Sequence, residues 1–122
     1  MIRLDTTPYI LGLTRRRLDA LRWQLPLFAV LVSGPSMAPA LRHGDALIVR
    51  RGGSVRTGDI VVARFRSRPD LLVVKRTMRE QDDGWWLEGD NEFVQDDSRA
   101  YGVADVIGRV VFRYYPSPGR LR

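Results

Sequence analysis

Past residue 40 the chain consists of short apolar runs separated by turn-forming residues, and this spacing limits its possible folds more than any other feature. The runs are rich in β-branched and aromatic residues, while glycine, proline and aspartate fill the gaps between them. The segments with this pattern are ALIVRR (46–51), DIVVARF (59–65), LLVVKRTM (71–78), WWLEG (85–89) and IGRVVFRYY (107–115). Strands this short and closely spaced predict a mainly β fold, a single coiled or barrel-like antiparallel domain rather than a parallel α/β sheet.

The chain before these strands has a different character. Residues 14–25 place three leucines on one helical face with arginines around the other, which predicts a short amphipathic N-terminal helix that docks on the domain or lies on an anionic membrane surface. The apolar run at residues 25–32 is far shorter than the roughly 20 residues of a membrane span, so no transmembrane helix is expected. The predicted organisation is an N-terminal segment (1–32), a main β domain (33–115) and a C-terminal tail (116–122).

The composition of the chain singles out one lysine, because almost every other basic residue is arginine. The chain has 20 lysine and arginine residues, and Lys75, within LLVVKRTM, is the only lysine. Arginine keeps its proton in proteins, whereas a buried lysine shifts its pKa readily. Period-two alternation puts Leu71, Val73 and Lys75 on one face, and if that face points inward, desolvation lowers the pKa of the amine toward neutrality. Lys75 is therefore a candidate general base.

The stretch SGPSM, residues 33–37, supplies a hydroxyl group for such a base. Its glycine and proline would hold a fixed bend around Ser36, which suits either a turn residue or a nucleophile. With Lys75 as its partner, Ser36 is a candidate nucleophile whose own backbone N–H would donate to an oxyanion. A Ser-His-Asp arrangement with His43 and Asp45 is the weaker alternative, because His43 lies in a predicted tight turn and a lysine base leaves it no task.

Charge and residue usage narrow the remaining classes. The absence of cysteine and the single histidine exclude disulfides, a thiolate nucleophile and Cys- or His-rich metal sites, so no metal or cofactor is predicted. The formal net charge of +6 favours an anionic partner. A small basic β-barrel that binds nucleic acid is an alternative, but the arginines are scattered and this function leaves Lys75 unexplained. No specific nucleic acid is therefore expected.

Four stretches, in this order, resemble the sequence boxes of type I signal peptidases, the serine/lysine proteases. They are SGPSMAPALRHGDALIV, GDIVVAR, LLVVKR and EGDNEFVQDDSRAYG, and the resemblance runs from about residue 33 to residue 115. It implies the signal peptidase catalytic-core fold, with Ser36 as nucleophile and Lys75 as general base. It also implies that Asp97 and Arg99 brace the active site. The neighbouring residues expected to support the site are Met37, Gln95 and Ser98.

Two positions depart from the family pattern. Many bacterial signal peptidases have a hydroxyl residue two before the nucleophile as the second oxyanion donor, but this chain has Gly34. A backbone N–H or the hydroxyl of Ser33 would have to replace it. Two residues before Asp97 the family often has a serine that orients the lysine amine, whereas this chain has Gln95. These departures affect the expected fine geometry and leave the Ser36–Lys75 pairing as the prediction.

Within that family, the segments DLLVVKR, DGWWLEGDN and GRVVFRYYP are similar to those of the maturation proteases of nickel-type superoxide dismutase. The resemblance implies removal of a short N-terminal propeptide from the dismutase precursor, with general signal-peptidase-like processing of exported proteins as the alternative. The expected partner is an extended peptide near the N-terminus of a precursor protein. The expected location is the cytoplasm or the inner face of the membrane.

Self-cleaving regulators of the LexA type use the same Ser-Lys chemistry on their own linker. These proteins carry a DNA-binding domain and a small-residue bond, typically Ala-Gly, upstream of the serine. No Ala-Gly pair occurs in this sequence, and the segment before Ser36 is expected to be too short for a helix-turn-helix domain. Self-cleavage is therefore the less favoured use of this chemistry.

Overall fold

The computed structural model describes residues 2–4 and 26–121, and this part of the chain forms eight β-strands and one short helix. The elements are β1 (Ile2–Leu4), β2 (Leu27–Val32), β3 (Ala46–Arg51), β4 (Ile60–Phe65), β5 (Arg68–Gln81), β6 (Gly84–Glu88), α1 (Ser98–Tyr101), β7 (Ala104–Tyr115) and β8 (Gly119–Arg120). The prediction of a mainly β fold is confirmed. The predicted amphipathic helix at residues 14–25 lies outside the described residues.

All strand pairs are antiparallel, and their order is β1-β2-β3-β7-β4-β5-β6. β7 is the organising strand, because it pairs with β3 and β4 and also reaches β6 where Trp85 stands opposite Ala104. That last pairing closes β4, β5, β6 and β7 into a small ring of strands. The result is the coiled, barrel-like sheet that the short, closely spaced runs predict.

The sheet extends beyond residues 33–115 at both ends of the chain. β2 pairs with β3 and β1 pairs with β2, so part of the N-terminal segment belongs to the same sheet. β8 pairs with β7 and adds residues 119 and 120. Within the described ranges no helix is long and apolar enough to cross a bilayer.

The sheet is buried on both faces, which explains why its central strands are continuously apolar. Along β4, Ile60 and Val62 pack into one core cluster, whereas Val61 and Ala63 pack into the other. Neighbouring residues of a strand point to opposite faces, so each cluster takes every second residue. β5 divides in the same way, and it is this strand that carries the lysine into the interior.

Candidate active site

Ser36 lies on the loop that joins β2 to β3. The base of this loop is closed by two main-chain hydrogen bonds, from Val32 N–H to the Asp45 carbonyl and from Gly44 N–H to the Val32 carbonyl, both 2.9 Å. Met37, next to Ser36, is fully buried in the core and ties the loop to the domain. Ser36 itself is only 5% exposed. The loop therefore presents its serine from an anchored backbone.

The turn at residues 89–91 holds the other side of the serine loop. Asn91 donates two hydrogen bonds to this loop, from its backbone N–H to the Ser36 carbonyl and from Nδ2 to the Pro35 carbonyl, both 3.0 Å. Gly89 lies so close that a Cβ atom on it would stand 2.5 Å from the Ser36 carbonyl oxygen. Only glycine permits this approach without a shift of the backbone.

An arginine fixes the same turn to β5. Arg76 forms a two-pronged ion pair with Asp90, with nitrogen–oxygen distances of 2.8 and 2.7 Å. Its third nitrogen donates to the Gly58 carbonyl at 2.8 Å. Planar pairs of this kind restrict orientation as well as distance. The turn that contacts Ser36 is thus held in register with the strand that contains Lys75.

Lys75 lies where β5 separates from β6. The last pair of this ladder joins Arg76 to Glu88. Beyond this pair the chain continues to Lys75 on one side and to Gly89 on the other. On its opposite edge Lys75 pairs with the fully buried Val61, and its own side chain is 1% exposed. The prediction that strand alternation turns Lys75 inward is confirmed.

Gly89 lies between the serine loop and the support residues. It approaches the backbone of Ser36, directly follows the last β5–β6 pair, and donates its N–H to Oδ2 of Asp97 at 2.8 Å. Gly89 therefore connects the serine loop to the buried Asp97 carboxylate at the end of the β5–β6 ladder, just beyond which Lys75 lies.

The amine of Lys75 has a partner that the sequence interpretation missed. Its Nζ lies 3.4 Å from Oδ1 of Asp96, and the side chain of Asp96 is 59% exposed. Burial lowers the pKa of Lys75, and this effect outweighs the opposing attraction of Asp96 and Asp97. Gln95, in the position expected to orient the amine, is exposed, and the hydrogen bond of Lys75 is made with Asp96.

Asp97 is buried and forms hydrogen bonds with several of the residues around the site. Its carboxylate accepts hydrogen bonds from Gly89 N–H and from Arg99 through N–H, Nε and Nη2, at 2.7 to 3.1 Å. Burial disfavours the charged form, but these hydrogen bonds dominate and the pKa of Asp97 is lowered. The adjacent Ser98 hydroxyl accepts from Leu87 N–H at 2.8 Å. Residues 97–99 therefore attach the start of α1 to β6 and to Gly89 through hydrogen bonds.

His43 and Asp45 are engaged separately. The Gly34 N–H donates to Nδ1 of His43 at 3.1 Å, and Gly34 has a φ of 96°, in the left-handed region that suits glycine. The Asp45 carboxylate accepts from Arg42 N–H at 2.9 Å and forms a 3.5 Å ion pair with Arg113. Within residues 2–4 and 26–121, no group of three or more His, Asp or Glu side chains is placed to hold a metal ion.

The antiparallel β-rich fold is consistent with a peptidase S24-like domain. Residues 16–111 match the Peptidase S24-like family, and the chain belongs to that family. It is 32% identical to mitochondrial inner membrane protease subunit 1 of Xenopus tropicalis over 114 residues, which covers 71% of this chain and 68% of that protein. The Homo sapiens protein of the same name is 30% identical, with coverage of 71% and 69%. Mitochondrial ATP-independent inner membrane protease subunit 1a of Arabidopsis thaliana is 27% identical, with coverage of 70% and 68%.

Proposed function

We propose that this protein is a serine endopeptidase with a Ser36–Lys75 dyad. The observation that carries the proposal is the burial of the only lysine of the chain at the end of the β5–β6 ladder, where Gly89 approaches the backbone of Ser36. A desolvated lysine gives up its proton more easily than an exposed one, and a serine hydroxyl needs such a base to become a nucleophile. Membership of the Peptidase S24-like family supports the same chemistry.

In the proposed reaction the neutral Lys75 amine takes the proton of Ser36 while Oγ attacks the scissile carbonyl carbon. The oxyanion receives a hydrogen bond from Ser36 N–H. Because the Gly34 N–H is directed to His43, the Ser33 hydroxyl is the second donor in this proposal. The Lys75 ammonium then protonates the leaving amine as the peptide C–N bond breaks. The neutral amine next activates a water molecule, which hydrolyses the acyl-enzyme and restores the serine.

The support residues act in this proposal by position. Asp97, which is itself fixed by Arg99, accepts the N–H of Gly89, and Asn91 donates to the carbonyl groups of the serine loop. Met37 anchors the loop from the core side. These contacts preorganise the nucleophile, which saves the cost of ordering it during the reaction.

The substrate is proposed to bind as an added extended strand along β5. Among the described strands, residues 68–75 of β5 pair with β4 alone, whereas β6 takes up the second edge only from Arg76 onward. An unpaired strand edge offers backbone donors and acceptors to an extended peptide. A peptide added there runs toward Lys75, where the edge ends. Phe93, 94% exposed on the adjoining turn, is available at the rim for an apolar substrate side chain.

The particular substrate that we propose is the precursor of a nickel-type superoxide dismutase, from which an N-terminal propeptide is removed. The resemblance of DLLVVKR, DGWWLEGDN and GRVVFRYYP to its maturation proteases supports this choice. General signal-peptidase-like processing is the alternative, and the inner membrane proteases among the relatives favour it. We place the activity in the cytoplasm or at the inner membrane face, where a net charge of +6 favours contact with anionic lipid.

The test is intact-mass spectrometry of the dismutase precursor after incubation with the protein. We expect loss of one N-terminal propeptide with the native chain and with Ser117→Ala, which alters an exposed serine far from the cluster in sequence. Ser36→Ala is the negative control and should leave the precursor intact. A precursor that stays intact while signal-peptide substrates are cut rejects the dismutase substrate and keeps the peptidase. Cleavage by Ser36→Ala rejects the nucleophile.

Asp96→Asn is expected to shift the acid limb of the pH–rate profile to lower pH. The Asp96 carboxylate stabilises the ammonium form of Lys75, so its loss lowers the pKa of the base further and leaves the amine neutral in more acidic solution. The measurement is kcat/KM against pH. In the acidic range where the activity of the native protein falls, the variant should cut faster than the native protein. The matched control is Asp105→Asn, because Asp105 is equally exposed at 61% and paired with Arg66. An unchanged profile for Asp96→Asn contradicts the coupling.

A further inference from the structure

A cavity lies apart from the residues proposed for catalysis. It has a volume of about 680 Å³ and is formed by the end of β3, the loop from residue 52 to residue 59, and β7. Ser36, Lys75 and Asp97 are not among the residues that line it. A volume of this size is in the range of pockets that hold small molecules.

Three guanidinium groups make the lining of this cavity positively charged. They belong to Arg50, Arg56 and Arg109, and Asp59 is the single acidic residue of the lining, so the charges sum to +2. Across the described ranges, ion pairs form at other cationic residues, and none includes these three arginines. The cavity therefore carries a positive charge that the described protein does not balance.

Two of these arginines oppose each other directly. Arg50 on β3 and Arg109 on β7 are register partners, so their side chains leave the sheet on the same face. Like charges in directly opposed positions destabilise an antiparallel pair. A bound anion between the two guanidinium groups would convert this repulsion into attraction.

Part of the cavity wall is main chain that hydrogen bonds hold in place. Gly52 and Gly53 have φ values of 73° and 82°, which side-chain-bearing residues rarely adopt, and they leave the cavity open. Arg56 N–H donates to the Asp59 carboxylate at 2.9 Å, and the Thr77 hydroxyl donates to the Arg56 carbonyl at 2.6 Å. The wall is therefore already ordered before any ligand arrives, which reduces the cost of binding.

We propose that this cavity binds a phosphate-bearing ligand, with its phosphoryl oxygens between Arg50 and Arg109 and within reach of Arg56. A planar guanidinium group matches phosphate oxygens through two parallel hydrogen bonds. The ligand is a soluble phosphate compound or the headgroup of an anionic phospholipid. A Leu27 variant can distinguish these sources, because Leu27 is the register partner of Arg50 on β2 and its apolar side chain is 51% exposed. The site does not depend on the proposed peptidase activity.

The first probe is inorganic pyrophosphate, titrated into the full chain by calorimetry at physiological ionic strength. The second is a pair of vesicle preparations, one with phosphatidylglycerol and one with phosphatidylcholine alone. We expect Arg109→Gln and Arg56→Gln to weaken binding about tenfold each, since each removes charge-assisted hydrogen bonds. Arg120→Gln removes an exposed arginine elsewhere and should leave binding unchanged. Thermal unfolding checks the fold, and Arg109→Gln should not lower the midpoint because it relieves repulsion.

Binding of pyrophosphate without selective binding of phosphatidylglycerol vesicles identifies a soluble ligand. Binding of those vesicles that is weakened by Leu27→Ser as well as by Arg109→Gln identifies a headgroup. The proposal is overturned if neither probe binds, or if the two arginine variants bind as tightly as the native protein.

Discussion

Lys75→Arg is expected to reduce cleavage by about 10²- to 10⁴-fold, the contribution typical of a general base. Arginine keeps the positive charge that faces Asp96 at 3.4 Å, but it does not release its proton in a protein. The substitution therefore keeps the positive charge and removes the neutral state. The measurement is kcat/KM for the precursor that the native protein cleaves, with circular dichroism to check that the variant is folded.

A second variant separates chemistry from packing at the same position. Lys75→Met has nearly the same length and no charge, and the native side chain is 1% exposed. Replacing a buried charge with an apolar group of similar volume is often neutral or stabilising. Lys75→Met should therefore unfold at the same or a higher temperature and still be inactive. If either variant cuts at the native rate, the lysine base is wrong, and His43, which accepts from Gly34 N–H, becomes the base to test.

The inward position of Lys75 could be predicted from sequence because it depends on local periodicity. Val73 and Lys75 share a face of β5 by alternation, and the surrounding run is apolar enough to require burial of that face. The bounds of β3, Ala46–Arg51, also coincide with the apolar run that predicted them. Short strands between strong turn signals are set by neighbouring residues, so a single sequence contains the necessary information.

Features that depend on non-local register could not be found in this way. Arg50 and Arg109 are 59 positions apart, and they oppose each other only because β7 pairs with β3 at a particular register that includes bulges. Asp96 was missed for a related reason. It lies in an irregular stretch before α1, where no periodicity tells which of two adjacent aspartates, Asp96 or Asp97, reaches the amine. The DD pair in the sequence was the available signal.

Gly89→Ala is expected to cost about 10²-fold in activity, the order of loss that accompanies a displacement of roughly 1 Å in a catalytic group. The new Cβ atom would stand 2.5 Å from the Ser36 carbonyl oxygen, closer than real Cβ contacts come. The contact is with backbone, so no flexible side-chain end can move aside. Either the serine loop shifts or Gly89 gives up its hydrogen bond to Asp97. Overpacking of this kind also destabilises by about 1–3 kcal/mol, which thermal unfolding would detect.

Gly119→Ala is the matched control for this prediction, since a Cβ atom there meets nothing within 4 Å. It should leave both activity and the unfolding midpoint unchanged. The decisive result is the rate of a Gly89→Ala protein that remains folded at the assay temperature. A large drop in kcat with little change in KM would show that Ser36 must be held against Gly89 for the chemical step. A native rate would contradict this prediction, because it would show that cleavage tolerates both a shifted serine loop and a lost Gly89–Asp97 hydrogen bond.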